Sequence, residues 1–175
     1  TPCQAALRLS GDEKVDFERI AAIKIRVPRA GALYPGCDHR GPFAHILQAK
    51  MSIQYNVAAA LMLGNVSEKN FALLKDPSLH RLISMMELIV DDEMTRAYPA
   101  LQGGEVQITE IDGTTHRKRL DNVVNATAVE VRDRFRISAN AVVSAKRAAE
   151  IERLIDSLEH SDDAGKLAEL LRAEG

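Results

Sequence analysis

The sequence predicts an α+β fold: a small mixed or antiparallel sheet, a central alanine-rich helix and a helical segment at the C-terminal end. Three observations lead there. In "RIAAIKIRVP" the apolar Ile23, Ile25 and Val27 alternate with Lys24 and Arg26, the period of a strand with one wet face. In "SIQYNVAAALMLG" an unbroken apolar run begins at Val57, carries alanine at 58, 59 and 60, and stops at Gly64. From Ala128 onward apolar residues recur at the helical period.

Taken in order, "TPCQAALRL" opens a helix with Pro2 at its first position, where a missing N–H costs nothing. "SGDEKVDFE" is a polar connection, and the strand that follows is ended by Pro28. Residues 29–43, with three glycines and two prolines, form a loop long enough to carry function. Between Gln48 and Asn56 every second residue is polar, a strand-like alternation. With Ser52 as N-cap, "IQYNVAAALML" becomes a helix stopped by Gly64, and the residues before Ser52 become an extended lead-in.

Ser67 is read as the cap of "EKNFALLK", and Asp76 with Pro77 as the opening of "PSLHRLISM". "MMELIVDDE" reads as a strand, and Asp112-Gly113 as the turn of a hairpin. The C-terminal pattern takes in Val131, Phe135, Ile137 to Val142, Ile151, Leu154, Ile155 and Leu158, then a last helix capped by Ser161 with Asp162 and Asp163 in its first turn. The expected division is an α/β domain over 1–125 and C-terminal helices over 126–175.

With 175 residues, 46% of them hydrophobic, the chain has enough apolar material for a core, and a net charge of -2 gives no general attraction to nucleic acid or an anionic membrane. No apolar run approaches the roughly 18 to 20 residues of a membrane span, so the expectation is a soluble, cytoplasmic protein. Cys3 and Cys37 form no CxxC pair and are read as reduced thiols. Cys37 and His39, with His45 beyond, supply two metal ligands at best from one C-x-H, so no metal is expected. His116-Arg117-Lys118-Arg119 lacks interleaved aromatics and is read as charge that protects an edge strand. No phosphate fingerprint, GxSxG or HExxH is present. Thr1 stands where an initiator methionine is absent, and the chain is read as a piece of a longer polypeptide.

One segment is less anonymous. Ala49-Lys50-Met51-Ser52-Ile53-Gln54-Tyr55 feeding Val57-Ala58-Ala59-Ala60-Leu61 resembles the MmgE/PrpD family, which includes 2-methylcitrate dehydratase, cis-aconitate decarboxylase and iminodisuccinate epimerase. "PCQAAL", the strand "IAAIKIRVP", the Asp76-Pro77 helix, the Asp112-Gly113 hairpin and "RDRF" follow in the family's order. One position departs: Asn125-Ala126 stands where relatives commonly have Asn-Pro or Asp-Pro.

The resemblance implies the lid domain of a two-domain, homodimeric lyase or isomerase acting on a small di- or tricarboxylate, with no cofactor and no obligatory metal. An all-helical domain, not in this chain, supplies most acid/base groups. Tyr34 resembles the catalytic lid tyrosine of the decarboxylase branch, and Lys50, Ser52 and Tyr55 are the candidate substrate-binding residues. Two keep a plainer alternative: Lys50 snorkelling to solvent or pairing with a surface carboxylate, Tyr55 a core tyrosine with its hydroxyl satisfied. The rival reading of the whole chain is a noncatalytic α+β binding or assembly module.

Overall fold

The computed structural model describes residues 1–12 and 15–172; Glu13 and Lys14, in the polar connection, lie outside the described residues. The chain divides into two compact units, Thr1–Val124 and Asn125–Gly175.

In the first unit, four strands form one mixed sheet, β1 (Ile20–Val27), β2 (Met86–Val90), β3 (Gly104–Glu110) and β4 (Thr115–Leu120), in the order β2-β1-β3-β4. β1 runs parallel to β2, Ile25 opposite Leu88, and antiparallel to β3, Ile25 opposite Val106. The β1 alternation holds, with Ile23, Ile25 and Val27 buried and Lys24 exposed. A register shift between Ile20 and Ala22 turns Ile20 inward as well, which a strict period of two would forbid. The hairpin turns at Gly113, whose φ of 88° is one that side chains disfavour, and Asp112 Oδ1 accepts the Thr114 N–H at 2.9 Å. That bond, with the Arg19 guanidinium at 2.7 Å, holds the Asp112 carboxyl below its usual range.

The basic run is on β4, an edge strand as expected, and it also has partners the sequence did not reveal. Glu105 of β3 is fully buried between Arg26 at 2.8 Å and Arg117 at 2.6 Å, while Arg119 bridges Glu93 and Asp121. A carboxylate so buried persists only when charge partners and donors meet it.

Helix α1 (Pro2–Asp12) lies against β3 and β4 and packs on α4 (Ile53–Leu63), which also meets α5 (Pro77–Ser84). Seven residues of α4, including Ala58, Ala59 and Ala60, are buried, as befits a helix apolar all round. Gly64 closes it with φ 62° and donates its N–H to Ala60 O at 3.0 Å. A Cβ there would meet only Ser10 Oγ at 3.9 Å, so backbone conformation, not space, selects glycine. Gly64→Val is expected to cost about 1 to 2 kcal/mol and to lower Tm in a thermal melt; an unchanged Tm would show that the cap does not depend on glycine.

Four local expectations need correction. The lead-in before Ser52 is helical, α3 (Ile46–Met51). Loop 29–43 begins with a short helix, α2 (Arg29–Leu33). The segment after Ser67 is a 3-10 helix over Glu68–Leu73, where both the N–H and hydroxyl of Ser67 donate to Asn70 Oδ1. The strand through "MMELIVDDE" stops at Val90, because Asp91 Oδ1 accepts the Met94 N–H at 2.9 Å and starts α6 (Asp92–Ala97), with Asp92 and Glu93 favourable at its first turn.

In the second unit, α7 (Ala128–Ala139) opens on a Thr127/Glu130 capping box and α8 (Ala145–Asp156) on Ser144. Glu152 binds both Arg132 and Arg136, and Asp156 binds Arg132, so four charged residues of the two helices form one network. The periodic apolar residues here are largely uncovered: Ala148 and Ile151 are buried, but Val131 and Ile137 are 54% and 74% exposed. The last helix, α9 (Gly165–Leu170), is not capped by Ser161; Asp163 Oδ1 accepts the Gly165 N–H at 2.8 Å instead.

Candidate functional site

Ser52 sits between two helices and serves both. Its N–H closes α3 by donating to Gln48 O at 3.1 Å, and its hydroxyl oxygen accepts the Tyr55 N–H at 3.0 Å to open α4. The carbonyl ends of α3 are met by Asn56, whose Nδ2 donates to Ala49, Lys50 and Ser52 carbonyls at 3.0, 3.1 and 2.7 Å. That is why the stretch before Ser52 is a helix: a side chain from the next helix satisfies its last turn.

The loop after α2 is pinned to this junction residue by residue. Cys37 O accepts the Ile53 N–H at 2.9 Å, Asp38 Oδ1 accepts Gln54 Nε2 at 2.5 Å, and His39 O accepts the Ser52 hydroxyl at 2.5 Å. Gly36, at φ 84°, passes so close to Met51 that an added Cβ would lie 3.3 Å from the Met51 Cβ. Phe43 is buried and meets His39, at 5.1 Å and 85°, and Tyr55, at 5.0 Å and 76°, in edge-on contacts. His39 Nε2 is buried and makes no hydrogen bond to a described residue, which leaves the aromatic contact as the interaction of that ring.

The four predicted site residues fall into two groups. Ser52 and Tyr55 are fully buried, and their polar atoms are engaged within the protein: the Tyr55 hydroxyl donates to Asn70 O at 2.8 Å, and its ring stacks on Phe71. Burial pushes the Tyr55 phenol up, so it stays protonated at neutral pH. Lys50 and Tyr34 are accessible. The Lys50 ammonium lies 3.2 Å from Glu68 and 5.2 Å from the centre of the Phe71 ring, with its side chain 42% exposed. Tyr34 is 60% exposed at the end of α2, its carbonyl accepting the Cys37 N–H at 3.0 Å.

Lys50, Ser52 and Tyr55 are thus brought together, the first and last through Phe71, while Tyr34 is tied to them through the backbone of Cys37. Sequence reasoning missed Asp38 and Phe43, which carry no motif. It saw Gln54 and Asn56 only as part of a polar alternation, although an amide at the head of an apolar helix is itself a signal. Burial pushes the Cys37 thiol up, away from thiolate reactivity. Among the described residues no group of three or more His, Cys, Asp and Glu side chains is placed to hold a metal ion. None of the described helices is long and apolar enough to cross a membrane.

The sequence model of the MmgE/PrpD C-terminal domain matches residues 1–160, a span that contains the whole junction and its loop. The chain belongs to the MmgE/PrpD family. A comparison with curated proteins found no match. Within this MmgE/PrpD C-terminal domain, the Ala49 to Tyr55 segment forms the helix junction on which the loop is anchored. The family includes enzymes.

Proposed function

We propose that this MmgE/PrpD domain is the lid part of a lyase or isomerase that acts on a small di- or tricarboxylate, with chemistry like that of 2-methylcitrate dehydratase. It works against an all-helical domain that supplies the base, in a cytoplasmic homodimer. The observation that carries the reading is Tyr34: a largely exposed phenol on a loop whose following residues are fixed to the core at Cys37, Asp38 and His39. A donor that must meet charge as it develops is effective only if held in place beforehand.

Proton removal beside a carboxylate, followed by loss of hydroxide or carbon dioxide, develops negative charge on the substrate. In this reading Tyr34 donates to the oxygen where that charge appears, and Lys50 neutralises a substrate carboxylate. Ser52 and Tyr55, being buried, act by shaping the junction that presents Lys50. Lys50 is half-exposed and its present carboxylate partner, Glu68, has a side chain 79% exposed, which supports exchange of that partner for a substrate acid.

The test is turnover by the complete protein on a panel of methylcitrate, citrate, cis-aconitate and iminodisuccinate. At least one is expected to be consumed; consumption of none overturns the reading. With the reactive acid in hand, Lys50→Ala is expected to reduce kcat/KM by about ten- to a hundredfold, mostly through KM, and Lys50→Arg to restore it in part because guanidinium is broader than ammonium. Unchanged kinetics with lowered Tm would make Lys50 a structural partner of Glu68 and Phe71.

A further inference from the structure

Gln54 is fully buried among the apolar residues of α4. A buried amide is costly unless its hydrogen bonds are made. Its Oε1 is 3.4 Å from the Ser52 hydroxyl, a weak contact, whereas its Nε2 donates to Asp38 Oδ1 at 2.5 Å. Asp38 is itself exposed, so the bond joins a core side chain to a surface loop. The neighbouring bonds from Ile53 N–H to Cys37 O and from the Ser52 hydroxyl to His39 O end on backbone carbonyls, and any residues at 37 and 39 would provide those. Of these three hydrogen bonds, Gln54–Asp38 is the one that depends on both side chains, and it is charge-assisted. From Asp38 the chain runs back through the tight passage of Gly36 beside Met51 to Tyr34.

We infer that Gln54 is a positioning residue: it latches the loop through Asp38 and thereby fixes where Tyr34 stands. The catalytic consequence rests on the reading of Tyr34 given above, but the latch does not, and the two are tested separately. Arg40 is exposed in the same loop, one residue past His39, and offers a trypsin site that reports on loop opening.

In the complete protein, Asp38→Ala and Gln54→Leu should each speed cleavage after Arg40 by about tenfold, as expected for loss of one hydrogen bond to a charged acceptor. Asp38→Asn should fall between wild type and Asp38→Ala, because its amide oxygen still accepts but without the charge. The double variant Asp38→Ala/Gln54→Leu should be cut no faster than the worse single variant, since both remove the same contact. Asp38→Ala should also lower kcat by about tenfold with KM little changed, with a modest fall in Tm because the buried Gln54 amide loses its acceptor. Cleavage of Asp38→Ala at the wild-type rate, equal cleavage of Asp38→Asn and Asp38→Ala, or effects that multiply in the double variant would each overturn the latch. Faster cleavage with unchanged kcat would keep the latch and overturn the catalytic reading of Tyr34.

Discussion

Tyr34→Phe in the complete protein is expected to lower kcat/KM by about a hundred- to a thousandfold, the range for loss of one positioned donor or proton-transfer group, and to leave stability unchanged. The separation follows from where Tyr34 stands. Its side chain is 60% exposed and its hydroxyl makes no hydrogen bond to a described residue, so removing one oxygen costs the fold nothing that the structure records. Its carbonyl, which does hold the turn to Cys37, is unaffected by the substitution. Steady-state kinetics on the reactive acid, set beside a thermal melt, decides the matter. Full activity in Tyr34→Phe would remove the phenol from the mechanism, and a fall in Tm parallel to the fall in rate would make the tyrosine a packing residue.

Tyr55 is expected to behave in the opposite way. Tyr55→Ala should cost about 3 to 5 kcal/mol, the usual penalty for deleting a buried aromatic ring, because the ring fills the space between Phe43 and Phe71 and no surface of it reaches solvent. Tyr55→Phe should cost only about 1 kcal/mol, the worth of the hydrogen bond to Asn70 O, with kcat/KM little altered. Urea denaturation of both variants gives the stabilities. A Tyr55→Phe protein of wild-type stability but much reduced kcat/KM would show that the hydroxyl meets substrate, in a conformation that frees it from Asn70.

The contrast between these two tyrosines shows where sequence reading stops. Tyr34 lies on the 29–43 loop and Tyr55 in the segment that resembles the family, and although an apolar helix gave Tyr55 a core alternative, no local pattern decided between a phenol that points outward and one that is stacked and bonded. Burial separates them, and burial depends on residues distant in the chain. Tyr55 is covered by Phe43 from the loop and Phe71 from the 3-10 helix, neither of which could be assigned to it beforehand. Lys50 illustrates the same limit, since both of its readings were visible but only the fold brought Glu68 and Phe71 to it.

What the sequence determined by itself is the part of the structure governed by neighbours in the chain. Pro2 and Pro77 at helix starts, Ser52 and Asp76 as caps, Gly64 as a stop, Gly113 in the hairpin turn and the alternation of β1 follow from dihedral preferences and from hydrogen bonds spanning a few residues. The tertiary structure alone decided that the basic run of β4 secures a buried carboxylate on β3 that also meets Arg26 of β1. It also decided that loop 34–45 is anchored, because Gln54 and Asp38 meet across 16 positions of sequence. A short-range pattern fixes a backbone shape; which side chain satisfies a buried donor or charge is set by desolvation, and desolvation exists only once distant segments have packed.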